Sequence, residues 1–187
     1  MPKHLFRQMI LEKRKALSFS EAWSASILIQ AAFLRTAEFI NARTIALYHP
    51  IHNEVETSAV FAEALAASKR ILFPAVSGRK LLFHRVRNKE GLQRGSFGIL
   101  EPKGSFEIHD PSEADVIVIP GVVFDMRGRR IGYGKGFYDN TLHAFEGQGK
   151  FVGFCYDFQV VHEIVDEPHD VKMDLLITDT RVIRPRD

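Results

Sequence analysis

The segment 129–139, with the sequence RRIGYGKGFYD, combines three glycines at alternate positions with basic side chains and a final acid. Alternating glycines let successive backbone N–H groups turn toward one point and approach an anion closely. Arg130 and Lys135 add positive charge, and a helix beginning where the loop ends would add its N-terminal dipole. The segment favours a phosphate ligand, although three glycines alone are explained equally well by a solvated turn.

This glycine loop matches neither of the two common phosphate-binding patterns. The Walker pattern G-x-x-x-x-G-K-[ST] needs a glycine where the chain has Arg129 and a hydroxyl where it has Gly136. The dinucleotide pattern G-x-G-x-x-G needs a third glycine at the position of Phe137. The loop by itself therefore predicts an anion site without defining the anion.

Asp139 closes the glycine loop with a charge that opposes phosphate binding unless a cation lies between the two groups. Mg²⁺ is commonly held by one or two carboxylates together with substrate phosphates, which makes Asp139 a candidate magnesium ligand. The alternative is an ordinary acid in the first turn of a helix, where the dipole favours it. For Asp139 taken alone, the alternative is the better interpretation.

Short apolar runs rich in β-branched and aromatic residues predict the strands that position this loop. In chain order they are TIALYHP, RILFPAV, LLFHRVR, DVIVIPGVVF, KFVGFCYD, DLLITD and RVIRP. The run DVIVIPGVVF precedes the glycine loop and predicts a central strand that is covered on both faces.

Helices are predicted between these strands. Residues 3–17 form a charged first helix, and Ser18 with Glu21 makes a capping box for a long helix that extends to about Asn41. Thr57 is predicted to cap the helix SAVFAEALAASK, and FYDNTLHAFEG continues as a helix from the glycine loop. The spacing of apolar residues in the long helix predicts a buried face formed by Trp23, Ile27, Ala31 and Leu34.

The alternation of strands and helices predicts an α/β fold, with a mostly parallel sheet in a single three-layer α/β/α domain over residues 1–187. Residues 88–114 are irregular, but no change in composition indicates a domain boundary. Ligands of such Rossmann-like sheets bind beyond the carboxyl ends of the strands, and we expect the glycine loop there.

Composition restricts the functional classes. The net charge of +2 gives no reason to expect nucleic acid or a membrane surface as partner. A single cysteine, Cys155, and the lack of a signal-peptide pattern or a long apolar span are typical of a soluble cytoplasmic protein. His162, His169 and Asp170 match no zinc-ligand spacing, so a zinc site is not expected.

The wider segment PGVVFDMRGRRIGYGKGFYD, Pro120 to Asp139, resembles the central signature of the 5-formyltetrahydrofolate cyclo-ligase (methenyltetrahydrofolate synthetase) family at every fixed position. The pieces KHLFR, YHPIHNEVET and PHDVKMDLLITD are similar to other segments of that family and follow in the same order. The resemblance covers nearly the whole chain and is weakest over 58–114.

The resemblance implies conversion of 5-formyltetrahydrofolate to 5,10-methenyltetrahydrofolate, with ATP hydrolysed to ADP and phosphate in the presence of Mg²⁺. The formyl oxygen would be phosphorylated, and N10 of the folate would then displace phosphate. Positioning and charge neutralisation suffice for this reaction, in keeping with a sequence that shows no Ser/His/Asp set. The expected partners are these small molecules, on a monomer or weak homo-oligomer.

The resemblance also assigns roles to residues. Lys135 and Arg130 would be catalytic, and Mg²⁺ would bind Asp139 and Asp174. ATP would contact Lys3, Arg7, Arg130, Ile131, Gly132, Tyr133, Gly134, Lys135, Gly136, Phe137 and Tyr138. The folate would contact His49, Glu54, Tyr133, Gly134, Lys135, Gly136 and Phe137, with the Glu54 carboxylate accepting N–H donors of the pterin ring.

Two positions depart from the family pattern. Phe137 replaces the more common tyrosine and lacks its hydroxyl, and Tyr133 occupies a variable position that is often basic. Neither departure affects Lys135, Asp139 or Asp174. An alternative to the enzyme is a nucleotide- or folate-binding protein that has the pocket without turnover. Another is a sugar-phosphate isomerase or acyl-CoA transferase-like activity, because related α/β sheets carry those reactions, but no suitably placed general base is evident.

Overall fold

The computed structural model describes residues 2–88, 92–94, 100–102, 107–165 and 170–185. The helices are α1 (Lys3–Ala16), α2 (Phe19–Leu34), α3 (Ala37–Asn41), α4 (Ser58–Ala66) and α5 (Phe137–Leu142). The strands are β1 (Thr44–Ala46), β2 (Arg70–Ser77), β3 (Lys80–Arg85), β4 (Leu92–Arg94), β5 (Leu100–Pro102), β6 (Ile108–His109), β7 (Val116–Ile119), β8 (Val123–Asp125), β9 (Arg130–Ile131), β10 (Lys150–Phe154), β11 (Val160–Val161), β12 (Leu175–Ile177) and β13 (Val182–Ile183).

The largest sheet has eight strands in the order β13-β12-β10-β7-β1-β2-β3-β6. The five strands from β12 to β2 are parallel, and β13, β3 and β6 are antiparallel to their neighbours. The predicted mostly parallel sheet is confirmed, and all four residues of β7 near its centre are buried. The predicted run DVIVIPGVVF is divided, because β8 leaves the large sheet and pairs with β9 and β11 in a smaller one.

The two faces of the large sheet are covered differently. Helices α2, α3 and α4 cover one face, where the ring of Phe33 packs edge-on against Phe154 with centroids 5.2 Å apart. The other face is covered by α5 through Leu142 and by the small sheet through Phe124. Helix α1 lies outside the small sheet and contacts it through Ile10. The flanking layers are therefore helices on one side, and a short helix with a small sheet on the other.

The predicted long helix is two helices. Helix α2 begins at the predicted capping box, where the Ser18 hydroxyl accepts from the Glu21 N–H and the Glu21 carboxylate accepts from the Ser18 N–H. It ends at Leu34 because the Thr36 side chain accepts from the Phe39 N–H at 3.3 Å and starts α3.

The prediction of a buried face on α2 was wrong for Trp23 and Ile27, which are 44% and 49% exposed, whereas Ala31 and Leu34 are partly buried. The fully buried side chains of α2 are Ser26, Ile29, Gln30 and Phe33. The polar members of this face bind backbone groups around the start of α4: the Gln30 amide oxygen accepts from the N–H groups of 59 and 60, and Ser26 accepts from that of 56. These bonds satisfy N–H groups that the helix itself cannot pair.

Thr57 does not cap α4 in the way that the sequence predicted. Thr57 occupies the N-cap position but makes no capping bond, because its hydroxyl donates to the Tyr48 carbonyl at 2.9 Å. The cap of α4 is therefore supplied by Gln30 from a different helix.

The described residues test three predictions only in part or not at all. His169 and much of the segment 88–114 lie outside the described residues. In the described part of the chain no single helix is long and apolar enough to cross a membrane. Helices α1 and α2 taken together are long and apolar enough, but a bend of 107° separates them. The extent of the domain stays a prediction.

We expect Ile29→Ala to lower the free energy of unfolding by about 2–5 kcal/mol, since Ile29 is fully buried between α2 and the sheet. Ile27→Ala is the matched control on the same helix and should cost about 1 kcal/mol or less, because Ile27 is half-exposed. Urea denaturation measures both values. Equal costs would contradict the observed orientation of α2.

Candidate active site

A cavity of about 470 Å³ lies at the carboxyl edge of the parallel strands. Its walls come from the first turns of α1, the segment 48–54 after β1, the hairpin of β2 and β3, the segment 130–139 and Asp170. The volume is in the range that holds a small-molecule ligand. The position agrees with the rule that α/β sheets bind ligands beyond the carboxyl ends of their strands.

All but one of the predicted site residues line this cavity, and Asp174 is the exception. Those in the lining are Lys3, Arg7, His49, Glu54, Arg130, Ile131, Gly132, Tyr133, Gly134, Lys135, Gly136, Phe137, Tyr138 and Asp139. The lining also includes residues for which the sequence predicted no role, namely Tyr48, Ile51, His52, Pro74, Val76, Leu81, Pro120 and Asp170.

The glycine loop joins β9 to α5 and uses conformations that favour glycine. Gly134 and Gly136 have φ values of 92° and 67°, in the left-handed region where a side chain is strained. Gly136 is also the residue at which α5 begins. The loop is tied to α1 because the Arg7 Nε donates to the Gly132 carbonyl at 2.9 Å.

A buried ion pair lies at the base of the glycine loop. An Arg130 guanidinium nitrogen donates to the Asp139 carboxylate at 2.6 Å, and the guanidinium stands 5.7 Å from the centre of the Tyr138 ring. The side chain of Arg130 is 4% exposed, and its Nε has no hydrogen-bond partner among the described residues. A buried cation with an unused donor is suited to an anionic ligand.

A second ion pair brings another carboxylate to the same place. Lys3 Nζ donates to Asp170 at 2.8 Å, and the neighbouring Val171 N–H donates to Asp139 at 3.3 Å. The carboxylates of Asp139 and Asp170 therefore face the same cavity, each with a basic side chain beside it.

Asp174 lies outside the cavity, away from Asp139 and Asp170. It precedes β12 at the amino edge of the sheet, where it accepts from Lys150 Nζ at 2.9 Å and from the Phe151 N–H at 2.8 Å. Val171 and Met173 are buried against the sheet, so the segment 170–173 runs across its face and separates the two acids. The structure does not bring Asp174 to Asp139.

The other end of the cavity contains a buried carboxyl. Glu54 is 6% exposed and accepts from the Ile51 N–H at 3.0 Å. Burial raises the pKa of Glu54 to about 7, against the opposing effects of the Arg14 charge, the Ile51 N–H and a hydrogen bond from Tyr133. Burial also lowers the pKa of the nearby His49, which favours a neutral imidazole. Pro74, Val76 and Leu81 add apolar walls.

Arg14 was missed by the sequence reasoning, because it stands in the run Lys13-Arg14-Lys15 that looks like a solvated face. It is 1% exposed and donates to the carbonyls of His52 and Gly121 and to the Tyr133 hydroxyl. Its spacing was the available signal, since Lys3, Arg7, Ile10 and Arg14 recur at intervals of three and four along one face of a helix.

The cavity can hold a ligand with an anionic end and a heterocyclic end. Cations, backbone N–H groups and two carboxylates lie at the first end, and a buried hydrogen-bond acceptor between apolar walls lies at the second. The described residues contain no group of three or more His, Cys, Asp or Glu side chains that could hold a metal ion unaided. Fold and site together define an α/β protein in which one cavity at the carboxyl edge of the sheet combines a cationic glycine loop with a buried carboxyl.

Comparisons with known proteins agree with this class. Residues 2–179 match the 5-formyltetrahydrofolate cyclo-ligase family, and the chain belongs to that family. It is 35% identical to the 5-formyltetrahydrofolate cyclo-ligase of Mycoplasma pneumoniae, over 96% of this chain and 99% of the relative. It is 28% identical to the Escherichia coli K12 cyclo-ligase, over 93% and 98% of the two chains.

Solved structures show the same fold. The structure of Aquifex aeolicus 5,10-methenyltetrahydrofolate synthetase has a TM-score of 0.89 and 36% identity, and covers 100% of this chain and 94% of its own. The Mycoplasma pneumoniae synthetase has a TM-score of 0.78 and 30% identity, over 96% of this chain and 99% of its own.

We expect Glu54→Gln to stabilise the ligand-free protein at pH 8. The Glu54 pKa rises from 4.5 to about 7 on folding, so the contribution of Glu54 to the free energy of unfolding is fully present below pH 4.5 and is lost as the pH rises through 7. At 1.36 kcal/mol per pKa unit, the variant should be about 3 kcal/mol more stable than the wild type at pH 8 and about 1 kcal/mol more stable at pH 5.5. Urea denaturation at both pH values measures this.

The control is Glu12→Gln, on the exposed face of α1. It should change stability equally at the two pH values. A Glu54→Gln advantage that does not grow with pH would contradict a raised Glu54 pKa.

Proposed function

We propose that this chain catalyses the ATP-dependent cyclisation of 5-formyltetrahydrofolate to 5,10-methenyltetrahydrofolate, with release of ADP and phosphate. The supporting observation is that the candidate phosphate ligands and the Glu54 carboxyl face one cavity, in a chain of the cyclo-ligase family. The cavity is large enough for the reacting parts of both substrates to meet.

The reaction has two bond exchanges. The formyl oxygen attacks the terminal phosphorus of ATP, so that an O–P bond forms, the bond to the ADP oxygen breaks and an iminium phosphate results. N10 then attacks the formyl carbon, a C–N bond forms, N10 loses its proton and the C–O bond breaks with phosphate as leaving group. No protein nucleophile takes part, so the protein contributes alignment and charge stabilisation.

The phosphate end of the cavity supplies the charge stabilisation. Arg130 is buried and fixed by Asp139 and Tyr138, so its charge is already oriented before the substrates bind. Lys135 extends from the loop between Gly134 and Gly136, where it can reach the transferred phosphate, and we assign both cations catalytic roles. Lys3 and Arg7 hold the remaining phosphates from α1, together with the N–H groups of the loop.

The folate end orients the second substrate. Glu54 in its ionised form accepts the N–H donors of the pterin ring, and the apolar walls pack against the flat ring system. Phe137 contributes an aromatic face without a hydroxyl, and Tyr133 and His49 border the same space. This arrangement presents the formyl group toward the glycine loop.

Mg²⁺ fits the phosphate end. Asp139 and Asp170 would hold it, and it would supply positive charge that neutralises part of the phosphate charge. These two carboxylates face the cavity at this end, and one or two carboxylates with substrate phosphates form a usual magnesium environment. We therefore propose Asp170 for the role that the family resemblance had implied for Asp174. Cytoplasmic location and a monomeric or weakly associating state stay predictions.

Lys135→Ala should lower the rate of methenyltetrahydrofolate formation roughly 10²-fold, because one charge opposite the transferred phosphate is lost. The fold should be retained, since Lys135 is an exposed loop residue. The measurement is product absorbance with Mg-ATP and 5-formyltetrahydrofolate. The matched control is Lys13→Ala, an exposed lysine of α1 outside the cavity lining, which should leave the rate unchanged.

The same assay separates turnover from binding alone. A wild-type protein that binds ATP and folate but forms no methenyl product would be a binding protein, and the enzymatic proposal would be abandoned. Wild-type rates in the Lys135→Ala variant would remove that side chain from the phosphate site.

Asp170→Asn and Asp174→Asn form a matched pair for the magnesium proposal. We expect Asp170→Asn to raise the Mg²⁺ concentration for half-maximal activity roughly tenfold or more, because a ligand charge is lost. Asp174→Asn should lower stability through its bonds to Lys150 and Phe151 and leave the Mg²⁺ requirement unchanged. The reverse pattern would return the metal role to Asp174.

A further inference from the structure

Arg14 is a buried cation that lies away from the cations proposed to bind phosphate. It is far along α1 from Lys3 and Arg7, and it faces Glu54 and Tyr133 at the folate end of the cavity. Its Nε donates to the His52 carbonyl at 3.0 Å, and a terminal nitrogen donates to the Gly121 carbonyl at 3.2 Å. These bonds fix the guanidinium at the junction of α1, the loop after β1 and the end of β7.

Tyr133 holds this guanidinium in the glycine loop, beside Glu54. Its hydroxyl accepts from the second terminal nitrogen of Arg14, and Tyr133 and Glu54 line the same cavity, close enough for the Glu54 charge to act on the pKa of Tyr133. Burial and the neighbouring Glu54 charge raise the pKa of Tyr133 to about 12, so the hydroxyl stays protonated. Arg14 therefore binds the glycine loop through the Tyr133 hydroxyl and the loop after β1 through the His52 carbonyl, two residues before Glu54.

We propose that Arg14 is a positioning residue for the folate end, which holds the glycine loop through Tyr133 and the loop of Glu54 through the His52 carbonyl in the arrangement that receives the substrate. This inference rests on the proposed function. Tyr133 belongs to the glycine loop, and His52 and Glu54 belong to the loop after β1, so one arginine links the wall that holds the heterocycle to the loop that holds the phosphates. Arg14 itself does not line the cavity and touches no substrate.

The network also favours the ionised form of Glu54 that accepts donors from the substrate. Six other titratable groups surround this carboxyl. They are Arg14 on α1, Tyr133 in the glycine loop, Tyr138 on α5, and Tyr48, His49 and His52 in the segment after β1. Of these, Arg14 and Tyr133 favour the carboxylate, and the remaining tyrosines are buried and neutral because burial raises their pKa.

The test uses Arg14→Lys, which keeps the charge and loses the fork of donors, and Tyr133→Phe, which loses only the hydroxyl. For each variant, kcat and the KM for the folate substrate are measured between pH 6 and 9. The Glu54 titration is followed in the free protein by carboxyl ¹³C NMR, with Glu54→Gln for assignment. Lys15→Gln, an exposed change in the same turn, is the control.

We expect Tyr133→Phe to raise the folate KM about tenfold at neutral pH with kcat and the ATP KM nearly unchanged, and to move the Glu54 midpoint to higher pH. Arg14→Lys should act in the same direction. The double variant should show less than the sum of the two single effects, because both changes remove the bond between Arg14 and the Tyr133 hydroxyl. Lys15→Gln should match the wild type.

Unchanged folate KM and an unmoved Glu54 midpoint in Tyr133→Phe would overturn the proposal, and so would additive effects in the double variant. Loss of stability without those shifts would assign Arg14 a structural role only. The NMR titration needs no substrate, so it decides whether the network exists even if the wild type forms no product. Failure of the wild type to form product would refute the proposed function without deciding whether the network exists.

Discussion

A guanidinium removed from water must find acceptors for its N–H groups, and this constraint on Arg14 determines how α1 joins the rest of the protein. The acceptors are the carbonyls of His52 and Gly121 and the hydroxyl of Tyr133, which come from three segments that meet at the carboxyl edge of the sheet. The same face of α1 carries Lys3 and Arg7. Docking α1 through Arg14 therefore also fixes where the cations of the phosphate end lie.

The place of the glycine loop could be predicted, because the loop and the strand before it are local patterns and the carboxyl-edge rule places them. Lys3, Arg7 and Glu54 came from the family resemblance. The separation of Asp170, inside the cavity, from Asp174, outside it, could not be predicted. It depends on where β12 begins and on the burial of Val171 and Met173, which direct the chain across the face of the sheet. Two acids four residues apart are therefore at opposite edges, and no spacing rule for an irregular segment anticipates that.

Helix α2 shows a different limit of sequence patterns. Hydrophobic periodicity assumes that polar residues face water, and it placed Trp23 and Ile27 inside. The inward face instead contains Ser26 and Gln30, because the first N–H groups of α4 need acceptors and the Thr57 hydroxyl is used elsewhere. Satisfying those buried donors outweighs burying one more apolar side chain, since each unpaired donor costs about 1–3 kcal/mol.

The phosphate end combines charges of both signs, and their pairing explains how this is tolerated before a ligand binds. Asp139 and Asp170 each lie against a cation, Arg130 and Lys3, so neither acid is left unpaired in the cavity. Arg7 and Lys135 add two further positive charges, which leaves the lining of this end with a surplus of cations. The two ion pairs let the chain hold this surplus of positive charge without leaving either acid unpaired. The acid in the glycine loop, unfavourable beside a phosphate on its own, is therefore tolerated because Arg130 neutralises its charge.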